Sequence, residues 1–351
     1  MAKYSITDRI VLTDSGGRTL IAETLEHAGT FTATNTIGSL SPDYFTNYFA
    51  AGGNQGETSG YAVGGAHPPS PLDLDTIDKF PFSSDANATD VGNLTLSRFQ
   101  GRGASSTAHG YAAGGRHQTP TDTNGHQNII DKFSFSSDGN ATDVGDLSNN
   151  IGGQSSAQDR DHVYMMGGFG ANYYEVDKFP FASDANATNI GNMNINANDT
   201  TGISAPSHAY MSAGRLGFPS TTTTAQIRKS PFASLTSVTS VGDGTAVRNE
   251  QSGTQSSTHG YTHGGQLYPP GVALNIIDKF PFSSDTDATD VGDLVQAMKW
   301  TAGSSSTNHG YKVGGEYTNS VEKYTFASDN NATDVGDLTQ TRAFIFGNHQ
   351  A

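Results

Sequence analysis

Histidine recurs in this chain at one fixed place: His109, His162, His208, His259 and His309 each stand two residues before a tyrosine, and Ser59 takes the place of a sixth. A column of imidazoles on a repeated frame could ring a metal, since neutral imidazole is a good transition-metal ligand. Ligand bonds of about 2.0–2.1 Å require donors to converge on one point, and groups on separate repeats stand too far apart. The spacing therefore predicts a structural role, with a ring nitrogen bonded to backbone at a tight turn. A second column, Asp85-Ala86-Asn87-Ala88-Thr89-Asp90 with variants from Asp138, Asp184, Asp285 and Asp329, alternates oxygen side chains as part of a calcium loop would. The later carboxylate that such a site needs would be Asp146, Asp293 or Asp337, but the first repeat has the neutral Asn93 there. The column reads as Asx turns, and its Asn87, Asn140, Asn186 and Asn331, formally glycosylation sequons, as hairpin tips.

A third column pairs Asp78-Lys79, Asp131-Lys132, Asp177-Lys178, Asp278-Lys279 and Glu322-Lys323. Neighbours along a strand point to opposite faces, so these residues are expected to form ion pairs between repeats, modest in value. The chain has no cysteine, hence no disulfide and no thiolate chemistry. No Ser-His-Asp or paired-carboxylate pattern stands apart from the repeated turns, so no catalytic residue, metal or cofactor is predicted.

These columns sit on a repeat. Taking the second position of each Gly-Gly (Ala213-Gly214 in the fourth copy) as a ruler, the marks fall at Gly65, Gly115, Gly168, Gly214, Gly265 and Gly315, in steps of 50, 53, 46, 51 and 50 residues. A period of this size built from short strands and turns indicates a stacked or radial repeat. In the copy over 98–147, strands are expected at Gly103 to Ala108, Tyr111 to Ala113, Ile129 to Phe135 and Ala141 to Leu147, with a hairpin turn at Ser136 to Asn140. Four antiparallel strands in about 50 residues make one propeller blade, and six copies predict an all-β, six-bladed propeller. The doubled glycine suits a place where backbone approaches backbone.

Composition agrees. Of 351 residues 34% are hydrophobic, glycine numbers 42, and Phe (18) and Tyr (14) supply the large apolar surfaces. The net charge of −15 without a basic cluster argues against nucleic acid. The opening residues break off before an apolar stretch forms, so no secretory signal is expected, and no run is long enough for a membrane span.

After Asp334 to Leu338 the chain continues through Arg342 to Gly347, keeping the spacing of Leu94, Arg98 and Gly103. This C-terminal segment, 340–349, is expected to supply the innermost strand of blade one against Gly60 to Gly65, with 44–53 as competitor. Residues 1–40 fall outside the repeat, with weak strands at Ile6 to Leu12, Thr19 to Thr24 and Gly29 to Ala33, and are read as an attachment arm to a propeller over 41–351. The loops after each Gly-Gly differ while their frames repeat, which is how a scaffold presents a binding surface. His117, Phe218, Tyr268, Pro269 and Pro270 are the candidate contacts to glycan or protein.

The order Arg98, Gly110-Tyr111, Gly114-Gly115, Ile130-Asp131-Lys132-Phe133 and Leu147 resembles a kelch repeat, though the late Trp is replaced by Thr142-Asp143-Val144-Gly145 and the aromatic follows the Asp. The phrase Phe-Pro-Phe-Ser-Ser-Asp, followed by Ala-Thr-Asp-Val-Gly-Asp-Leu, is similar to propeller proteins of tailed phages of aquatic bacteria. That resemblance implies a virion structural protein, on the tail or decorating the capsid, assembled in a bacterial cytoplasm and held to other virion proteins through residues 1–40. Its loop face would meet a host-surface glycan or protein. A free or cell-surface lectin, or an enzyme acting on polysaccharide, is the alternative.

Overall fold

A computed structural model describes residues 10–13, 19–22, 55–67, 72–118, 125–170, 173–217, 222–316 and 318–350. The chain divides into two compact units, Met1–Ala50 and Ala51–Ala351. In the first, Ile10–Thr13 pairs antiparallel with Thr19–Ala22. The expected strand at Gly29 to Ala33, the competing segment 44–53 and Phe218 lie outside the described residues.

The second unit is a six-bladed β-propeller. Blade 2 runs outward through Arg102–Ser105, His109–Ala113, Gln127–Ser134 and Thr142–Gly152, all antiparallel. Blades 3 to 6 begin with inner strands Ser155–Gln158, Thr201–Ser204, Ser252–Gln255 and Ala302–Ser305. Blade 1 takes its inner strand from the other end of the chain: Phe346–Gln350 pairs with Ser59–His67, Val63 opposite Phe346 and Ser59 opposite Gln350. Among the described residues the only helical element is a single 3-10 turn, Phe232–Ser234, and no helix is long and apolar enough to cross a membrane.

The seams between blades hold the core. In five of the six seams the tyrosine of a second strand packs on the aromatic pair at the end of the next blade's third strand, and in the sixth Tyr164 packs on Phe232 alone. Tyr61 meets Phe133 and Phe135 at centroid distances of 5.4 and 5.0 Å, and Tyr210 meets Phe280 and Phe282 at 5.4 and 5.2 Å. The ring closes on the same contact, Tyr311 lying 5.6 Å from Phe80 and 4.7 Å from Phe82. Each such pair adds about 0.5–1.5 kcal/mol beyond its area. The histidine-glycine-tyrosine wording suits it in most blades, because a Cβ on Gly110 would lie 2.1 Å from the Phe133 ring of its own blade, although blade 3 holds Val163 opposite Phe179. In blade 4, where Ser230 replaces the phenylalanine, Ala209 stands instead of glycine.

The Gly-Gly pair has two causes. Gly114 and Gly115 have φ of 63° and 101°, and a Cβ on Gly115 would approach the Phe99 carbonyl oxygen to 2.8 Å. Close backbone approach is thus one reason and left-handed backbone the other. The first position tolerates Ala213 at φ 52°, so the second is the stricter one.

The charged columns resolve into two systems. The lysines join neighbouring blades: Lys79 to Asp138 (3.1 Å), Lys132 to Asp184, Lys229 to Asp285 (2.5 Å), Lys279 to Asp329 (2.9 Å) and Lys323 to Asp85 (2.5 Å). The sixth seam has Leu235 where the others have the aspartate, and there Lys178 lies 5.5 Å over the Tyr164 ring. Of the four aspartates that precede the lysines, all buried, three face an arginine arriving from the previous blade: Asp131 with Arg98 (2.8 Å), Asp278 with Arg248 (2.7 Å) and Asp78 with Arg342; Asp177 accepts from Ser148 N–H and Oγ instead.

Two turn readings are corrected. The Asx turns lie one step later than expected, in Asp-Val-Gly, where Gly92 N–H donates to Asp90 Oδ1 and Gly145 N–H to Asp143 Oδ1, both at 3.1 Å. The asparagines of Asn-Ala-Thr instead cap the neighbouring blade, Asn140 Oδ1 accepting from Asn93 N–H at 3.1 Å. Three of the five histidines meet side chains rather than the expected backbone. Nδ1 meets the adjacent hydroxyl in His208 (Ser207, 2.7 Å) and His259 (Thr258, 2.8 Å), and stands 3.4 Å from Asp159 in His162.

Candidate binding face at the channel mouth

Strand alternation places the Gly-Gly loops and the links between blades on one face of the disc, and the hairpin tips on the other. At the centre of the loop face six residues occupy one repeat position: Gln100, Gly153, Asp199, Glu250, Trp300 and Phe344. All have left-handed φ, at 56°, 67°, 50°, 59°, 61° and 56°. Five are not glycine, a conformation that costs energy and persists only when surroundings enforce it. The enforcement is visible. Each N–H donates to the carbonyl of its counterpart one blade back, and Gln100 closes the circle on Phe344 at 3.1 Å. The other five bonds measure 2.8–3.2 Å. Backbone groups that would face an open channel are thereby satisfied.

Behind this ring the inner strands crowd together. A Cβ on Gly103 would lie 2.2 Å from the Gly347 carbonyl oxygen, and one on Gly303 2.0 Å from that of Gly253. The channel is a cavity of about 120 Å³. Its far end is tied by Gln158, which accepts from Ser105 N–H (2.8 Å) and donates to Ser105 O (2.6 Å), and by His349 N–H to Ser105 Oγ (3.1 Å). On that side Gly56 N–H donates to Ser305 O at 2.7 Å, so the described part of the propeller unit begins at the hairpin face.

The side chains of the ring form a polar and aromatic hub. Trp300 and Phe344 stack at 4.6 Å and 28°. Glu250 Oε2 accepts from Trp300 Nε1 and from Gln266 Nε2. Arg215 stands between the two acids, 3.6 Å from Asp199 and 3.8 Å from Glu250, with Tyr268 4.5 Å beneath its guanidinium. Burial raises Asp199 to about 6 against the pull of Arg215, Arg102 and Arg116. Burial, then the charge of Asp199, raises Glu250 to about 7 against the Trp300 hydrogen bond, Arg215 and Lys299. Beside the hub, an open cleft of about 780 Å³ runs over blades 2 and 3, lined among others by Arg116, Asn128, Asn150, Phe169 and Tyr173.

The loop residues named from sequence are not brought together. His117 Nδ1 is tied into the seam between blades 1 and 2, 2.9 Å from Ser97 O and 3.3 Å from Asp73 Oδ2. Tyr268 sits beside the hub under Arg215, its carbonyl accepting from Thr223 Oγ1 at 3.0 Å, and Pro269 and Pro270 are exposed at the turn. The hub itself escaped sequence reading. A signal was present, since each of its members in blades 2 to 6 stands fifteen residues before the second glycine mark, as Gln100 does before Gly115. Among the described residues no cluster of three or more His, Asp or Glu could hold a metal ion. No family model matches this chain, and no curated protein is similar to it.

Proposed function

We propose that this propeller is a non-enzymatic binding module of a virion, tail-associated or decorating the capsid, that turns its loop face to a host-surface glycan or to protein. The observation that carries the binding reading is the difference between the two faces. The hairpin face repeats the same turns and Lys–Asp pairs around most of the disc. Of the propeller's basic residues outside the two repeated columns, Arg102, Arg116, Arg215 and Lys299 stand at the channel mouth, Arg228 and Lys312 are buried within blades 4 and 6, and Arg160 lies elsewhere. Charge, aromatic area and variable sequence on one face of a rigid frame are what a binding surface requires. The virion part rests on the resemblance of the repeat wording to phage propellers, with residues 1–40 as the contact to other virion proteins.

Immuno-gold or cryo-EM localisation with and without residues 1–40 tests it. Labelled particles that lose the protein on truncation support an anchored virion component. Free protein with no particle sinks that placement and leaves a soluble or cell-surface lectin. One observation favours an enzyme: Asp199 and Glu250 are carboxyls held near neutrality, as a general acid would be. Loss of polysaccharide viscosity that disappears in Glu250→Gln would replace the binding reading with that one.

A further inference from the structure

We infer that the cleft over blades 2 and 3 is a saccharide site whose hydroxyl-reading groups are the amides of Asn128 and Asn150; the inference rests on the binding-module reading and gives it a place and a ligand class.

The cleft exists because blade 2 departs from its neighbours. Its outer strand, Thr142–Gly152, is opened by an irregularity: Gln127 faces Ile151, yet Ile129 already faces Asp146. Asn128 and residues 147–150 fall within the break. Blades 4 and 5 carry the same device, between Thr224 and Gln226 and between Leu274 and Ile276. There the displaced segments are 244–247 and 294–297, and the places of Asn128 and Asn150 are held by Ala225 and Val247 in blade 4 and by Asn275 and Ala297 in blade 5. In blade 2 the displaced segment carries Ser148, Asn149 and Asn150. Bulges re-aim side chains, and of the three blades with this device only blade 2 has asparagine at both places.

The far wall is supplied by blade 3. Phe169–Gly170, from its variable loop, pairs with Ile151 and Gly152 as a fifth strand of the blade 2 sheet and sets Phe169 beside Tyr173 at the cleft. Asn149 is already committed, its amide donating to Ser148 Oγ (3.4 Å) and Glu175 Oε2 (2.5 Å). Asn128 and Asn150 make no side-chain hydrogen bond among the described residues, so both amides present donor and acceptor to an occupant. In the wall Arg116 and Arg215 face Asp199 and Glu250, so it carries no large net charge. An occupant therefore needs no charge of its own. Paired amides beside aromatic rings, with no large net charge, match a neutral sugar: amides meet its hydroxyls and ring faces its C–H groups. The volume lies in the range of small-ligand sites, roughly 300–1,000 Å³.

The test is saturation-transfer NMR and immobilised-ligand binding of the full chain to neutral oligosaccharides of two to four hexose or N-acetylhexosamine units. It is repeated for the double variant Asn128→Ala, Asn150→Ala, with thermal unfolding as the check on folding. The expected result is binding of at least one probe, weakened about tenfold in the double variant with unfolding unchanged. Binding unaltered in the folded double variant overturns the cleft and keeps a saccharide-binding module. No binding to any probe by either method overturns the saccharide inference, while the virion placement stands or falls on localisation alone.

Discussion

Arg342 and Asp78, from the last and first repeats, form the same buried ion pair that Arg98 and Asp131 form inside the chain. The surroundings match too. Thr339 donates to Asp78 through N–H and Oγ1 at 2.8 Å, as Thr95 does to Asp131 at 3.2 and 2.6 Å. The seam that closes the disc is therefore built like an internal one. Arg342→Met leaves Asp78 buried without its cation, and breaking such a pair costs about 3–5 kcal/mol. Denaturant unfolding should give equal losses for Arg342→Met and Arg98→Met. A much smaller loss for Arg342→Met would mean that the closing seam is looser than the rest.

At the Gly-Gly mark the two positions should respond differently. Gly115→Ala meets a positive φ and a carbonyl oxygen at 2.8 Å, so backbone must move. A loss of about 2–3 kcal/mol is expected, in the range of backbone strain at such sites. Ala213→Gly, at φ 52°, should be within about 1 kcal/mol of neutral because relief of strain offsets lost entropy. Thermal unfolding of the two variants checks the order.

The lysine column is conspicuous in sequence yet should matter less than its one replacement. The aspartates of these pairs are half-exposed, so Lys279→Ala should cost no more than about 1 kcal/mol and less in high salt. Leu235, at 1% exposure, fills the seam where the aspartate is missing and packs in one cluster with Tyr164 and Met193. Leu235→Ala should cost about 2–5 kcal/mol, independent of salt. Unfolding at two ionic strengths separates them.

What was legible in the sequence divides along the same line. Strand and turn wording recurs because most blades solve one packing problem, Tyr111 on Phe179 and Tyr311 on Phe80, so the fold could be read from repetition. The partner of Asp131 could not. The column pairs visibly with the adjacent lysine, whereas its buried partner, Arg98, belongs to the preceding blade and is replaced by Ile151 and Met298 in others. The mouth ring was hidden for a further reason. Gln100, Asp199, Glu250, Trp300 and Phe344 share a backbone conformation and a hydrogen bond but no side-chain chemistry, and repetition of residue types is blind to that.

Glu250 gives the hub a pH signature. Its folded-state value, raised to about 7, lies above the ordinary carboxyl value near 4.3, so the folded state holds the proton more tightly than the unfolded chain. Below about pH 4 both states are protonated and the group contributes no difference. As pH rises from there to about 7 the unfolded chain ionises first, stability falls, and above 7 the penalty is constant. Glu250→Gln keeps an acceptor for Trp300 and removes the titration. It should match the natural protein in stability near pH 4 and exceed it at pH 8 by on the order of 1–3 kcal/mol. Asp199→Asn removes the neighbouring charge that helps to raise Glu250, so the Glu250 carboxyl should titrate lower in that variant by carbon-13 NMR. The acid limb has another origin: His263 and His349 are buried neutral, lowered by burial to about 3 and about 4. The unfolded chain protonates these rings first, so they withdraw stability as pH falls from about 6.5. His349→Gln should flatten that limb without altering the alkaline one. Equal pH profiles for Glu250→Gln and the natural protein would show that the hub carboxyl is not held protonated, and with it would go the case for an acid catalyst at the channel mouth.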